Sequence, residues 1–309
     1  MKPILFYDDI FLKHDTGHHP ENAQRLVSIR NHLKKEGLWE NVRTGPRAAT
    51  EEEIRANHEA RYIAHCRKVA AGGGGMLDPD TVVSTGSYNA AVHAAGAMIE
   101  AADAVMADKA KSAVCLVRPP GHHALSAQGM GFCLFNNIAI AAHYLRRKRG
   151  LDKVAIVDWD VHHGNGTQDS FYRDPSVLFF SIHRYPFYPG TGAATETGEG
   201  EGKGATINKP VPYGISRAEY ISTFEEVLTG PVKNFKPEII LISAGFDAHV
   251  NDPIAGLCLE HEDFGALTKI VKRVAGETCG GKIVATLEGG YDLGDLPKCV
   301  AAHIKSLGS

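Results

Sequence analysis

The sequence predicts an α/β protein with a central, mostly parallel sheet flanked by helices. Six short apolar, β-branched runs recur, and most are continuous rather than alternating, as in strands covered on both faces. Helical patterns lie between them, and strand–helix alternation produces parallel, doubly wound sheets. No composition break or internal repeat divides the 309 residues, so residues 1–309 read as one domain.

Each element has its own signal. The strands are expected in PILFY (3–7), AVCLV (113–117), KVAIVD (153–158), VLFFSIH (177–183), EIILISAG (238–245) and KIVATLEGG (282–290). A helix is expected from near Pro20, whose ring suits a first turn, to Gly37. Thr50 with Glu53 makes a capping box, and SRAE at 216–219 repeats the device. The stretch from Ser87 to Ala107 is rich in alanine, and 262–276 has a helical period. GGGG (72–75) and ETGEGEGKG (196–204) read as loops; the second lacks the strand and helix that flank a phosphate-binding loop.

Composition narrows the function classes. A net charge of −3 and a pI near 6.6 give no electrostatic reason for direct nucleic-acid binding. RRKR (146–149) reads as the solvated end of a helix. The six cysteines form no CxxC pair, against a thiolate zinc site or a disulfide framework, and they fit a reducing compartment. The apolar start of the chain is broken by Asp8 and Asp9, too short and acidic for a signal peptide, and no run approaches the length of a membrane span. A soluble, cytoplasmic protein with no membrane partner is expected.

In open α/β sheets, ligands bind beyond the carboxyl ends of the strands. The polar clusters fall there: RPPGHH (118–123), WDVHHGNG (159–166), FDAH (246–249) and Tyr291. Asp158, Asp160 and His162 are spaced by two, so an extended backbone turns them to one face. Singly, such residues more often cap a strand end. Together, with Asp247 as the natural third ligand beside Asp160 and His162, they suit a catalytic zinc, which keeps three protein ligands and an open position. His122 and His123, behind two prolines, could serve as an acid/base pair, although an HH dipeptide alone is usually a surface feature. Tyr291 follows two glycines and could donate to a substrate oxygen as charge develops, or simply pack under a turn.

These motifs resemble the zinc-dependent histone deacetylase family of the arginase–deacetylase superfamily, specifically its class II-like and bacterial branch, which includes acetylpolyamine amidohydrolases. The carriers are RPPGHHA (118–124), GFCLFNN (131–137), DWDVHHGNGTQ (158–168), YPGTG (188–192), SAGFDAH (243–249), LEGGY (287–291) and HHPENAQRL (18–26), which span essentially the whole chain. The resemblance implies a single-domain arginase/deacetylase-like fold and one Zn2+ per chain on Asp160, His162 and Asp247. It implies that His122, paired with Asp158, bonds the reacting water, that His123 protonates the leaving amine, and that Tyr291 polarises the carbonyl. Phe132 and Tyr188 match the aromatic walls of an acyl-lysine channel, which Gly131 and Ile254 also line. A structural K+ would use Asp158, Asp160, His162, Ser181 and Ile182, and a second would lie near Phe171, Asp174 and Val177.

Asn165 departs from the branch with aspartate at that position, so His123 lacks a charged neighbour, which leaves open which histidine is the base. The substrate is expected to be N-ε-acetyl-lysine, with an acetylpolyamine or another small amide as the alternative. Ile254, apolar after Asp252-Pro253, argues mildly against a polyamine gatekeeper there, although a loop acid such as Glu21 could substitute. Two other readings are a binuclear manganese hydrolase and a non-catalytic acyl-lysine binder. Oligomeric state is open.

Overall fold

The computed structural model describes residues 2–309. In chain order its elements are β1 (Ile4–Phe6), α1 (Gln24–Lys35), β2 (Val42–Arg43), α2 (Glu51–Ile54), α3 (Ala60–Ala71), β3 (Gly75–Met76), β4 (Val82–Val83), α4 (Ser87–Met106), β5 (Ser112–Cys115) and α5 (Asn137–Arg149). There follow β6 (Val154–Asp158), α6 (Asn165–Phe171), β7 (Val177–Arg184), β8 (Thr206–Val211), α7 (Arg217–Val227), α8 (Lys233–Phe235), β9 (Ile239–Ala244), α9 (His261–Thr278), β10 (Ile283–Leu287) and α10 (Leu296–Gly308).

Eight strands form one sheet in the order β2-β1-β5-β10-β9-β6-β7-β8, and β3 pairs with β4 in a separate antiparallel hairpin. The sheet was expected to be mostly parallel; every pairing in it is parallel. The six apolar runs supply six of its eight strands, all but β2 and β8, and β5, β6, β9 and β10 are wholly buried. Helices cover both faces, and burying these Val, Ile and Leu side chains drives assembly at about 25 cal/mol per Å² of apolar surface.

The capping box at Thr50 is seen in full, and at Ser216 only its first half. Thr50 accepts from Glu53 N while Glu53 accepts from Thr50 N, and Ser216 Oγ accepts from Glu219 N. RRKR ends α5 at the surface, where Arg149 pairs with Asp103 and Lys148 with Glu52. One expected boundary is corrected. Helix α1 starts at Gln24, not Pro20, because residues 20–23 turn to send the Glu21 side chain inward, and Asn22 Oδ1 accepts from Gln24 N instead. All six cysteines are free. No helix among the described residues is long and apolar enough to cross a membrane.

The strand order positions the site. β5, β10, β9 and β6 are adjacent at the centre, and their carboxyl ends lie level: Cys115 faces Thr286, Thr286 faces Ser243, and Ser243 faces Asp158. Four loops therefore leave one rim side by side.

Candidate metal and catalytic site

β6 runs out at Asp158, and the turn beyond it is held by its own carboxylates: Asp158 Oδ1 accepts from Asp160 N, and Asp160 Oδ1 from His162 N. The ridge thus stays directed at the neighbouring β9 loop, where Asp247 Oδ1 accepts from Val161 N at 2.9 Å. The ligating atoms of Asp160, His162 and Asp247 all lie within 4.8 Å of one another, and all three residues are buried. His162 Nδ1 sits 3.0 Å from Asp160 Oδ1 and 3.2 Å from Asp247 Oδ2. Asp247 Oδ2 is buried without a hydrogen-bond partner. Two buried carboxylates around one ring nitrogen require a cation between them, either a ring proton or a metal. One nitrogen and two oxygen donors suit a divalent ion such as zinc. Gly245 and Gly289 make room for this, since a Cβ at either would collide with the Asp160 carboxylate and one at Gly289 also with that of Asp247. The expected triad is therefore assembled. The neighbouring buried carboxylates have partners of their own, Asp158 facing His122 and Glu288 accepting from backbone amides.

β5 delivers the histidine pair. Their rings are 4.0 Å apart, yet their partners differ: His122 Nδ1 faces Asp158 Oδ2 at 3.0 Å, whereas His123 Nδ1 faces Asn165 Oδ1 at 2.8 Å. Burial opposes the charge on both. At His122, Asp158 and then Asp160 outweigh burial and push the pKa up to about 10. At His123, burial is reinforced by His122 and His162, and the value falls well below the usual range. Burial is also the largest influence on Asp247, raised to about 7 with help from Asp160, and on Tyr291, raised well above its usual value.

Phe132 meets Tyr291 edge-on at 5.9 Å, and Tyr188 meets His123 edge-on at 5.2 Å, so the two expected walls flank the cluster. Gly131 and Phe132 both adopt positive φ, +55° and +70°, and Thr81 Oγ1 holds the strained Phe132 amide. Sequence reasoning passed over two further rings: His19 against Phe132 at 4.6 Å and Phe187 stacked on His162 at 5.3 Å. It also missed Asp78 and Asp80, whose charges reach Tyr188. Ile254 is half-buried against the core, its amide on Asp252 Oδ1. His163, with Thr191 and Gln168 as partners, faces away from this chemistry.

Buried charges that brace the loops around this cluster were legible only as motif letters. Glu21 is fully buried; Arg118 contacts its carboxylate at 2.5 and 2.8 Å and Arg25 at 3.0 Å. Glu21 is therefore not available to guard the pocket mouth, contrary to the sequence expectation, because its charge is spent inside. Arg25 continues to the carbonyls of Glu288 (2.5 Å) and Gly290 (2.6 Å), its guanidinium lying 4.9 Å from the Tyr291 ring centre. Asp252 Oδ2 accepts from Tyr291 N, so the tyrosine's backbone is held from both sides. Glu288, buried and raised to about 7, receives the amides of Gly121 and His122.

Comparison with known proteins gives this arrangement its context. Residues 19–307 match the family described as "Histone deacetylase domain". The chain belongs to the histone deacetylase family. A relative from Archaeoglobus fulgidus named "Probable deacetylase" is 40% identical over 95% of this chain and 82% of its own length. The "Histone deacetylase-like amidohydrolase" of Pseudomonas aeruginosa is 36% identical over 99% of this chain and 86% of its own. A solved structure, "Crystal Structure of HDA15 HD domain", superposes with a TM-score of 0.93 at 36% identity, covering 99% of this chain and 89% of that one. This histone deacetylase family member thus carries the family fold and belongs among deacetylases and amidohydrolases that act on acylated amines.

Proposed function

We propose that the chain is a zinc-dependent deacetylase that hydrolyses the acyl amide of N-ε-acetyl-lysine. The observation that carries the reading is the meeting of Asp160, His162 and Asp247 with His122, His123 and Tyr291 at one buried rim. When bound by that triad, zinc supplies a Lewis acid for the amide carbonyl and lowers the pKa of water toward about 7. The chain's own groups do the rest. Phe132 and Tyr188 hold the acyl-lysine stem and exclude water. Tyr291 donates its hydroxyl to the oxygen that gains charge. His123, the neutral member of the pair, is free to accept a proton at Nε2 and return it to the leaving amine. His122, held cationic by Asp158, stabilises negative charge beside it. Asp158 and Asp160 beside His122, and burial with His122 and His162 around His123, set this order. A structural K+ is part of the proposal, on Asp158, Asp160, His162, Ser181 and Ile182, Asp158 and Ser181 being register partners; a second lies near Phe171, Asp174 and Val177.

A second substrate class is favoured by the acidic pair at the mouth. Asp80 Oδ1 is buried without a partner and Asp78 lies beside it, so a distal ammonium, as on an acetylpolyamine, would be welcomed there. A panel of acetyl-lysine peptide, acetylputrescine and acetylspermidine, with chelator and zinc add-back, tests both. Zinc-dependent turnover of the peptide is expected. No turnover of any acylamide by the zinc-loaded protein would overturn the reading in favour of a non-catalytic binder.

A further inference from the structure

A second group of ligating side chains stands outside the catalytic rim. After Asp247 the chain loops out and returns so that Leu259 pairs with His249: Val250 N donates to Leu259 O, and Leu259 N to Ala248 O. This return brings Glu260 and His261, at the start of α9, against His249. The ligating atoms of His249, Glu260 and His261 all lie within 4.8 Å of one another. The two imidazoles stack at 4.9 Å, and His249 Nε2 faces Glu260 Oε2 at 3.7 Å.

An independent observation points to a ligand. His249 is only 2% exposed, and its Nε2 is buried with no hydrogen-bond partner, aimed at this cluster. A buried polar atom without a partner costs about 1–3 kcal/mol, which coordination would relieve. Asp295 stands behind the pair, 3.9 Å from His249 Nδ1 and 3.1 Å from His261 Nε2. With Nε2 on a metal, the His249 proton moves to Nδ1 and faces this carboxylate, displacing the long 3.2 Å contact from Asn251 N. A carboxylate behind a ligating imidazole is the usual support for such a ligand. Asp295 is suited to support rather than to ligation, because Lys298 and Asn251 already donate to its oxygens at 2.8 Å each.

We propose that His249, Glu260 and His261 form a second divalent-metal site, selective for zinc-class ions, which ties the loop behind Asp247 to the segment behind Tyr291. Two imidazoles and one carboxylate are the donor set of such borderline ions rather than of calcium or magnesium. Glu260 and His261 are part-exposed, so an ion can enter from solvent and the side chains can close on it. Asp295, four residues beyond Tyr291, joins the site to the second catalytic loop.

The test is zinc titration of the metal-free full-length chain against a chromophoric chelator, with melting temperature as a second readout. The wild type is expected to bind two equivalents, the second raising Tm. The double variant Glu260→Gln/His261→Ala keeps the α9 cap, because the Glu260 amide still donates to Asp263 Oδ2, and alters only part-exposed residues. It should lose the second equivalent and its Tm increment while retaining deacetylase turnover. His162→Ala isolates the site: it should bind one equivalent, which the same two substitutions abolish. One equivalent in the wild type that the double variant retains, or two in the double variant, would overturn the proposal. Loss of the catalytic equivalent alone, in His162→Ala, reports on the other site, so the two readings fail separately.

Discussion

Glu21→Gln is an isosteric change that removes one buried charge. Glu21 lies between Arg118 and Arg25, and all three side chains are fully buried. Burial raises its pKa, but Arg118, hydrogen bonds from His14 and Arg118, and then Arg25 hold the carboxyl well below the usual range. The amide leaves two guanidiniums without their counter-charge, a loss of about 3–5 kcal/mol for a broken buried pair. With an unfolding entropy of about 2.1 cal/mol/K per residue, a chain of 309 residues has a transition entropy of roughly 0.65 kcal/mol/K. The expected drop in Tm is therefore about 5–8 °C, measured by calorimetry at neutral pH. The sign with pH follows from the depressed value. The stabilisation is fully present above the unfolded carboxylate pKa, about 4.3, and is lost as pH falls from there through the much lower folded value. The gap between wild type and variant should thus hold from pH 7 to about 5 and narrow only below that. Because Arg25 also braces Gly290, turnover should fall beyond what the loss of folded protein explains. A Tm change under about 1 °C, no larger than that of a surface pair such as Glu36–Lys305, would refute the reasoning.

Other changes separate the roles at the rim. Tyr291→Phe removes one oxyanion donor and should lower kcat roughly a hundred- to thousand-fold with Tm unchanged; near wild-type turnover would remove the tyrosine from the chemistry. Asn165→Asp places a carboxylate where an amide oxygen now lies 2.8 Å from His123 Nδ1. It favours the imidazolium, so the acid limb of the kcat/KM profile should move up by about 1–3 pH units, and an unmoved limb would show that His123 does not govern it. Gly289→Ala drives a methyl into the carboxylates of Asp160 and Asp247. Zinc affinity, read by chelator competition, should fall at least roughly tenfold, as it does when supporting groups around a metal are disturbed; unaltered affinity would mean the two carboxylates do not act together.

The strands were legible because buried parallel strands write themselves as unbroken Val, Ile and Leu runs, and the ridge of Asp158, Asp160 and His162 because spacing by two survives into the structure. β8 was not legible: Thr206–Val211 carries Lys209 and Pro210, which only an edge strand tolerates, so its letters resemble a loop. The inward turn at Pro20 was hidden because a proline before polar residues reads as a helix start, whereas the Arg118 charge that draws Glu21 inward is 97 residues away. Arg25 and Glu288 stood inside recognised motifs and Asp252 just beyond one, but their work is on backbone atoms of distant loops, a relation that no local pattern encodes. The His249 cluster was half visible: the histidine was placed at the rim, but its partners are joined to it only by the return of the chain at Leu259.

The strand order has a consequence for how the rim is held together. Without β10, the sheet is two separate ribbons, β2-β1-β5 and β9-β6-β7-β8. The first carries His122 and His123, and the second carries Asp160, His162 and Asp247. β10 alone pairs with both β5 and β9. A sheet lacking β10 would therefore leave the loop of His122 and His123 unjoined to the loops of Asp160, His162 and Asp247, and would lose the Glu288 carboxylate that receives the Gly121 and His122 amides.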